Sequence, residues 1–200
     1  MKLLMSPPSP FVRKVRVVLR ETGLIDTIEE VAVTTTPLAS DPDVSAANPL
    51  AKIPVLIRDD GPAIYDSRVI NRFLNTHAQA NLYPEGRLWE ILTLEATADA
   101  IMEAAVGMTY EMRYREAAAQ SPAWLDAQWA KVDRATRAIS TRWMSHLSGP
   151  LNIGQIGVAC ALSYLDLRHD ARGWRAGNDT LAAWHAAFAQ RQSMLDTAVS

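Results

Sequence analysis

The sequence contains a single cysteine, Cys160, among 200 residues. An internal disulfide needs two cysteines and a cysteine metal cluster needs several, so the sequence excludes both. Cys160 lies within an apolar stretch, residues 158–162, that is typical of a buried helix. We therefore expect a buried and unreactive thiol at this position.

The chain also lacks an excess of charge and long hydrophobic runs. Its 20 basic residues nearly balance its 22 acidic ones, so nothing global indicates binding to nucleic acid or to an anionic membrane. The local basic cluster of Arg13, Lys14, Arg16 and Arg20 is predicted to be a solvated helix face. Because no apolar run is long enough for a membrane span or a signal peptide, we expect a soluble cytoplasmic protein.

Several signatures of catalytic and metal sites are missing. The sequence has no G-x-S-x-G elbow, no Walker loop and no G-x-G-x-x-G fingerprint. No pair of histidines has ligand spacing with carboxylates nearby, so we expect no metal. A Ser-His-Asp triad is not expected either, because His77 is near a predicted linker and His146, His169 and His185 are at helical positions.

Strand and helix patterns alternate in the first part of the chain, and helical patterns fill the rest. The hydrophobic share of 48% is sufficient for a packed core. Strands are predicted at 2–5, 27–33, 54–57 and 63–65. Helices are predicted at 11–21, from Asp66 or Ser67 onward, and at 88–119, 122–146, 153–169 and 181–193. A polar loop with at most a short helix is expected at 34–48, and a break at 79–84.

Ser9 and Pro10 stand between the first predicted strand and the first predicted helix. Proline is favoured at the first position of a helix, and serine at the cap that precedes it. The Ser9 hydroxyl is therefore expected where backbone N–H groups converge and the helix dipole is positive. Such a place stabilises an anion, including a sulfur anion.

Four motifs at predicted strand and helix starts carry a resemblance to a known family. They are residues 9–15, 48–56, 65–70 and 152–156. Together they resemble the soluble bacterial glutathione transferase family in its serine-type form, and the resemblance covers essentially the whole chain. Residues 48–56, in which Pro54 opens a strand, are the most specific of the four. Asn152 and Gln155 resemble the capping box of the family's buried helix.

The resemblance implies an α+β fold with two domains. A thioredoxin-like βαβ-ββα domain that binds glutathione is expected at residues 1–78, followed by a linker at 79–85. An all-α helical-bundle domain for substrate binding and dimerisation is expected at residues 86–200. A homodimer is implied across the helices that begin at residues 88 and 122, because these helices carry more apolar and aromatic residues than two packed helices usually need, including Trp89, Trp124, Trp129 and Trp143.

The resemblance also assigns roles in binding the co-substrate glutathione. Ser9 is implied to donate a hydrogen bond to the glutathione thiol, with Ser6 on the same loop as the alternative donor. Pro54 is implied to be cis, and Ile53 to offer its backbone N–H and C=O to the cysteinyl part.

The two ends of glutathione are assigned to other residues. Asp66 and Ser67 are implied to hold the γ-glutamyl end through its ammonium and carboxylate groups. Phe11 is a further implied contact. The loop at 34–47 contains no Lys, Arg, His, Asn or Gln, so the glycyl carboxylate is left to Lys52 or to no side chain, and we expect modest glutathione affinity.

The second substrate is expected to be a small electrophile. Its pocket is expected between the two halves, with Pro8, Phe11, Met108, Met112 and Arg113 as candidates. Methionines and tyrosines at this helical spacing are equally typical of core or dimer contacts. No particular electrophile follows from the sequence.

The resemblance implies an enzyme that conjugates the glutathione thiolate to the electrophile, as in detoxification. Three alternatives on the same site remain open: glutathione-dependent dehalogenation, isomerisation and peroxide reduction. A non-catalytic relative that binds a ligand or a protein partner is a fourth. Because Ser9 and Val12 stand where glutaredoxin-like proteins have the two cysteines of C-P-Y-C, disulfide chemistry by the protein's own thiols is excluded there.

Overall fold

The computed structural model describes residues 1–199, which form two compact units. The first unit comprises Met1–Pro84 together with the C-terminal segment from Arg191. The second unit comprises Glu85–Gln190. The sequence had assigned the C-terminal segment to the helical half of the chain.

A small sheet with β1 at its centre forms the base of the first unit. β1 (Lys2–Met5) pairs in parallel with β2 (Glu29–Ala32) and antiparallel with β3 (Val55–Ile57). Parallel strands need a crossover connection, and α1 (Pro10–Glu21) provides it. This arrangement, followed by helices, confirms the predicted α+β class with a thioredoxin-like first part and a helical second part.

The prediction of a full fourth strand at residues 63–65 is wrong. Only one antiparallel bridge forms there, in which Leu56 N donates to Ile64 O at 3.0 Å and Ile64 N donates to Leu56 O at 2.9 Å. In this antiparallel register, the next hydrogen-bonded pairs would join residue 54 to residue 66 and residue 58 to residue 62. Each of these pairs contains a proline, Pro54 in the first and Pro62 in the second. Because proline has no backbone N–H, the ladder cannot continue in either direction.

The basic cluster on α1 is not the solvated face that the sequence predicts. The Lys14 side chain is buried, with 0% exposure. Arg16 Nε and Arg20 Nη1 both donate to Glu30 Oε1 at 2.9 Å, which joins α1 to β2. The charges therefore belong to the packing of the first unit, because each one has a partner that the chain itself supplies.

Two further helices complete the main part of the first unit. α2 (Pro42–Ala47) replaces part of the predicted loop, and its Val44 packs in a buried cluster with Leu4 and Val55. α3 (Ser67–His77) packs against α1. The two helices thus cover apolar side chains of the sheet and of α1.

The second unit consists of helices, and its buried helix α7 packs mainly against α4. The helices are α4 (Leu88–Tyr114), α5 (Pro122–Arg142), α6 (Met144–Leu147), α7 (Ile153–His169) and α8 (Asp179–Phe188). The predicted capping box at the start of α7 is confirmed: Asn152 Oδ1 accepts from Gln155 N, and Gln155 Oε1 accepts from Asn152 N. Cys160 is buried in this helix, as predicted.

α4 ends five residues before its predicted end at 119. The side-chain amide of Gln120 donates to Met112 O and Arg115 O, both at 3.1 Å. These bonds satisfy carbonyls that a helix leaves free at its C-terminus. No helix among residues 1–199 combines the length and the apolar character that crossing a bilayer requires.

The last helix, α9 (Gln192–Leu195), packs against α1 in the first unit. Arg13 Nη2 donates to Met194 O at 3.1 Å. Arg191 binds the Glu21 carboxylate through two nitrogens, at 2.9 and 2.8 Å. Charged groups of α1 therefore hold the C-terminal segment in the first unit.

Candidate functional site

Three loops of the first unit meet at one edge of its sheet. Because Leu4 of β1 pairs with Val55 of β3 in an antiparallel register, the loop after β1 and the loop before β3 leave the sheet at the same end. The bridge between Leu56 and Ile64 carries the chain back toward that end, where α3 begins. The predicted motifs around residues 9, 53 and 67 are therefore brought to one edge.

Ser9 caps α1, as the sequence predicts. It has extended backbone angles, Pro10 occupies the first helical turn, and Ser9 Oγ accepts from Val12 N at 3.3 Å. Within residues 1–199 the half-buried hydroxyl donates its own hydrogen to no acceptor. The Ser9 hydroxyl is therefore both polarised by the helix terminus and available as a donor.

Ser6, the alternative donor, lies one turn of the loop earlier. Its carbonyl accepts from Ser9 N at 3.1 Å, which fixes the loop but leaves Ser6 outside the helix cap. Ser9 is therefore the serine that caps the helix. Phe11 follows in the first turn of α1 and is half-buried.

Asn48 organises the loop before β3, a role that the sequence analysis missed. The side chain is 2% exposed, its Oδ1 accepts from Leu50 N at 3.0 Å, and its Nδ2 donates to Lys52 O at 2.8 Å. Ala51 adopts a left-handed backbone with φ of 51°. The signal was present, since an Asn-Pro pair is a frequent turn start.

The peptide bond between Ile53 and Pro54 is cis, as predicted. The Ile53 side chain packs against the cluster of Leu4, Val44 and Val55. Neither the N–H nor the C=O of Ile53 has a hydrogen-bond partner within residues 1–199. A side chain anchored in the core with a free backbone can pair with an extended peptide in the manner of an added strand.

Asp66 and Ser67 begin α3, but only Asp66 is the cap. Asp66 Oδ1 accepts from Arg68 N at 3.0 Å, and Asp66 Oδ2 accepts from Arg68 Nη2 at 3.1 Å. Ser67 is 3% exposed, and its hydroxyl has no hydrogen bond among the described residues. The Tyr65–Asp66 peptide bond is also cis.

The carboxyl group of Asp66 is ionised at neutral pH. Burial raises its pKa, but the hydrogen bonds and charge of Arg68, with the charge of Lys14, outweigh burial and lower the pKa below the usual value. The edge thus offers a carboxylate at Asp66 next to the Ser67 hydroxyl and the free N–H groups of a helix start.

Lys52 is exposed and makes no ion pair within the part of the chain that the structure describes. Its carbonyl is held by Asn48, so the residue is anchored while its ammonium group stays available. The loop before α2 is instead organised by Asp41, whose Oδ1 caps that helix by accepting from Asp43 N at 2.9 Å.

Not all of the residues proposed to contact the electrophile are exposed. Pro8 is exposed on the loop after β1. On α4, Met112 is 42% exposed and Arg113 is exposed, whereas Met108 has 0% exposure. Met108 therefore belongs to buried packing, and Met112 and Arg113 are the accessible ones among these three candidates on α4.

A Ser-His-Asp cluster that the sequence analysis did not anticipate lies in the second unit. Ser163 Oγ is 3.0 Å from His185 Nε2, but His185 Nδ1 is 3.9 Å from Asp166 Oδ2. Asp166 instead accepts from Trp174 Nε1 at 2.7 Å and from Arg175 Nη2 at 2.7 Å. The carboxylate holds these side chains rather than orienting the imidazole, so the cluster stabilises the fold.

Metal ligands do not gather anywhere in residues 1–199: no three or more His, Cys, Asp or Glu side chains form a group that would hold an ion.

Two family models match this chain. The model of the glutathione S-transferase N-terminal domain matches residues 8–77, and that of the C-terminal domain matches residues 122–187. The chain belongs to the glutathione S-transferase family. Both the loop edge of the first unit and the buried helix of the second lie within the parts matched.

Individual glutathione transferase relatives agree with this membership. The uncharacterized GST-like protein YibF of Escherichia coli K12 is 33% identical over 180 residues, covering 87% of this chain and 86% of that protein. A family member from Pseudomonas fluorescens Pf-5, solved with bound glutathione, is 40% identical with a TM-score of 0.97, over 100% of this chain and 98% of that one.

Two further solved structures of the family contain related ligands. A Pseudomonas fluorescens Pf-5 structure with bound S-(propanoic acid)-glutathione is 40% identical with a TM-score of 0.91, over 98% of each chain. A glutathione S-transferase from Methylobacillus flagellatus KT with glutathione bound is 36% identical with a TM-score of 0.86, over 100% of this chain and 99% of that one.

Proposed function

We propose that this protein binds glutathione at the loop edge of the first unit and joins the thiolate sulfur of glutathione to a small electrophile. The observation that carries the proposal is the Ser9 hydroxyl, which caps α1 and whose hydrogen has no acceptor within the described part of the chain. Support comes from relatives up to 40% identical that are solved with glutathione bound.

Ser9 acts on the thiol by stabilising its ionised form. A free thiol with a pKa of about 8.5 is only a few per cent ionised at neutral pH. A hydroxyl hydrogen bond together with a helix N-terminus favours the anion. Lowering the pKa by about two units makes thiolate the main form and requires less than about 3 kcal/mol of differential stabilisation.

The remaining groups hold the tripeptide in place. The N–H and C=O of Ile53, which have no partner within residues 1–199, pair with the cysteinyl residue. Ser67 binds the γ-glutamyl carboxylate, and Asp66 binds the ammonium while it shares its charge with Arg68. Phe11 contributes an apolar contact, and Lys52 is the cation proposed for the glycyl carboxylate.

Met112 and Arg113 of α4 are the proposed contacts of the electrophile in the second unit. In the reaction, the thiolate sulfur forms a bond to an electrophilic carbon, and the group it displaces leaves with the electron pair. Conjugation is favoured over disulfide chemistry because position 9 is serine and position 12 is valine. The proposed compartment is the cytoplasm, where glutathione is kept reduced.

A homodimer is proposed through the exposed face of α4 and α5. An apolar groove of about 570 Å³ lies there, lined by Trp89, Leu92 and Ala96 on α4 and by Lys131 and Ala135 on α5. Trp89 is 77% exposed. A second copy of the chain is the proposed occupant, because a tryptophan this exposed next to an apolar groove is typical of protein interfaces.

The test is calorimetric titration of glutathione, followed by a panel of electrophiles with glutathione present. We expect saturable glutathione binding and turnover of at least one electrophile above the uncatalysed rate. Binding without any turnover would favour a non-catalytic relative. Failure to bind glutathione would contradict the proposal.

A further inference from the structure

Two helices of the second unit, α4 and α7, are joined by a polar ladder. Tyr164 Oη donates to Thr109 Oγ1 at 3.1 Å, and His169 Nε2 donates to Ala105 O at 2.8 Å. Thr109 pairs with Tyr164, whereas the earlier Ala105 pairs with the later His169. The two helices therefore run antiparallel. The ladder fixes the Tyr164 ring between them.

On each of the two helices, an arginine lies one turn after the residue that makes the Tyr164–Thr109 contact. Arg113 is four residues after Thr109 on α4, and Arg168 is four residues after Tyr164 on α7. Helical side chains lean toward the N-terminus of their own helix, so both arginines lean back toward the level of Tyr164. In agreement, the positive charges of Arg168 and Arg113 both act to lower the pKa of the Tyr164 hydroxyl, although burial outweighs them.

Neither guanidinium is neutralised by an acidic side chain among residues 1–199. Within residues 1–199, Arg113 and Arg168 form no ion pair, and both are exposed. The acidic side chains near them are already engaged, since Glu111 pairs with Arg115 at 2.7 Å and Asp166 pairs with Arg175. Two unpaired guanidinium groups near one tyrosine favour an anionic ligand, and a carboxylate fits their planar geometry.

Aromatic rings lie beside these charges. The rings of Tyr110 and Tyr114 are 5.6 Å apart in an edge arrangement, and Arg113 lies over the Tyr114 ring at 5.6 Å. Tyr110 is 41% exposed. Burial raises the pKa of the Tyr110 and Tyr164 hydroxyls, so both stay protonated at neutral pH and add no negative charge.

We propose that this surface, formed by Tyr110, Arg113, Tyr114 and Arg168 and here named the double-arginine face, binds the carboxylate of an aromatic acid. Its role as the site that selects carboxylate-bearing electrophiles rests on the proposed transferase function. The binding of the anion itself does not depend on that function. In the reaction with a chloronitrobenzoate, sulfur bonds to the ring carbon and chloride leaves with the electron pair.

The first test measures binding without glutathione. Titration of the full chain with 3-nitrobenzoate and with the neutral 3-nitrobenzamide compares ligands that differ only in the charged group. We expect the carboxylate to bind at least tenfold more tightly at low salt. Arg113→Gln and Arg168→Gln should each remove most of this preference, and Arg142→Gln, at the exposed end of α5, should leave it unchanged. Equal binding of both ligands by the wild type would overturn the double-arginine face.

The second test measures turnover with glutathione and either 4-chloro-3-nitrobenzoate or 4-chloro-3-nitrobenzamide. Both Arg→Gln variants should lower the ratio of kcat/KM for the benzoate to that for the benzamide about tenfold, mainly through KM for the benzoate. Glutathione affinity should stay the same. A carboxylate preference in binding, with no turnover of either compound and no glutathione binding, would keep the anion site and contradict the transferase function. An unchanged turnover ratio in both variants would overturn the selectivity.

Discussion

At the residue scale, Asp66 and Ser67 stand side by side at the start of α3 and have different structural roles. Asp66 caps the helix and pairs with Arg68. Ser67 is buried, and its hydroxyl is unused within the described chain. Both residue types are good caps, so the sequence alone could not decide which of them closes the helix. The structure separates capping from the proposed ligand contact.

This separation gives a prediction for Ser67→Ala. Because no cap is lost, the free energy of unfolding should change by less than about 0.5 kcal/mol. Loss of a hydroxyl contact to the γ-glutamyl carboxylate should weaken glutathione binding about tenfold or more, since hydrogen bonds to charged groups contribute about 1.5–3 kcal/mol. Urea denaturation and calorimetric titration measure the two effects.

The matched control is Ser145→Ala, which removes an exposed hydroxyl in the second unit. It should change neither quantity. If Ser67→Ala lowers stability as much as a lost cap would, and leaves glutathione affinity intact, then Ser67 has only a structural role.

At the scale of helices and strands, most elements follow from local pattern. Ser9, Pro10 and the valines of α1 determine where that helix begins and which face it buries. Asn152 and Gln155 do the same for α7. These signals are local in the chain, so propensity and periodicity are sufficient to read them.

Other features depend on partners that are distant in the sequence. The loss of the fourth strand needs the register that places Pro54 and Pro62 beside Leu56 and Ile64. The burial of Lys14 and the pairing of Arg16 with Glu30 require the packing of α1 on the sheet. Charged residues on a helix usually face water, so the pattern alone predicted the wrong environment.

The contact between α4 and α7 predicts a pH dependence of stability. Burial lowers the pKa of His169, against the hydrogen bond to Ala105, so the folded protein favours the neutral ring. The stabilisation is fully present above the ordinary histidine pKa of about 6.5 and is lost as pH falls below it. Carboxylates with lowered pKa, such as Glu30, titrate at lower pH and contribute little above pH of about 5.

We therefore expect the free energy of unfolding to fall between pH 7.5 and 5.5, by at most about 1.4 kcal/mol from this one histidine. His169→Gln keeps a donor and cannot titrate, so its stability should depend less on pH. His77→Gln is the control, because His77 is exposed. Urea denaturation at the two pH values gives the comparison, and an identical pH slope in His169→Gln and the wild type would contradict this account.

At the scale of the whole molecule, the exposed groove of α4 and α5 predicts a dimer. Sedimentation equilibrium at micromolar concentration should give twice the 22.0 kDa chain mass. Trp89→Glu should weaken association at least tenfold, because it places a charge in an apolar contact. Leu167→Glu, at an exposed position of α7, should remain dimeric. A wild-type protein that sediments only as a monomer would exclude this interface.

The central claim is that the Ser9 hydroxyl stabilises the glutathione thiolate. Ser9→Ala removes both the donor and the cap, with a capping loss of about 1 kcal/mol, while Ser9→Thr retains a hydroxyl for both roles. Ser6→Ala tests the alternative donor. Ser9→Cys adds a second readout, since a thiol at the helix start should form a mixed disulfide with glutathione.

The most direct measurement is the apparent pKa of bound glutathione, from the thiolate absorbance as a function of pH under saturating conditions. We expect a pKa about two units below the free thiol in the wild type and in Ser6→Ala. In Ser9→Ala it should rise by at least about one unit while glutathione affinity stays nearly constant, and in Ser9→Thr it should stay low. A bound thiol with the same low pKa in Ser9→Ala as in the wild type would contradict the central claim.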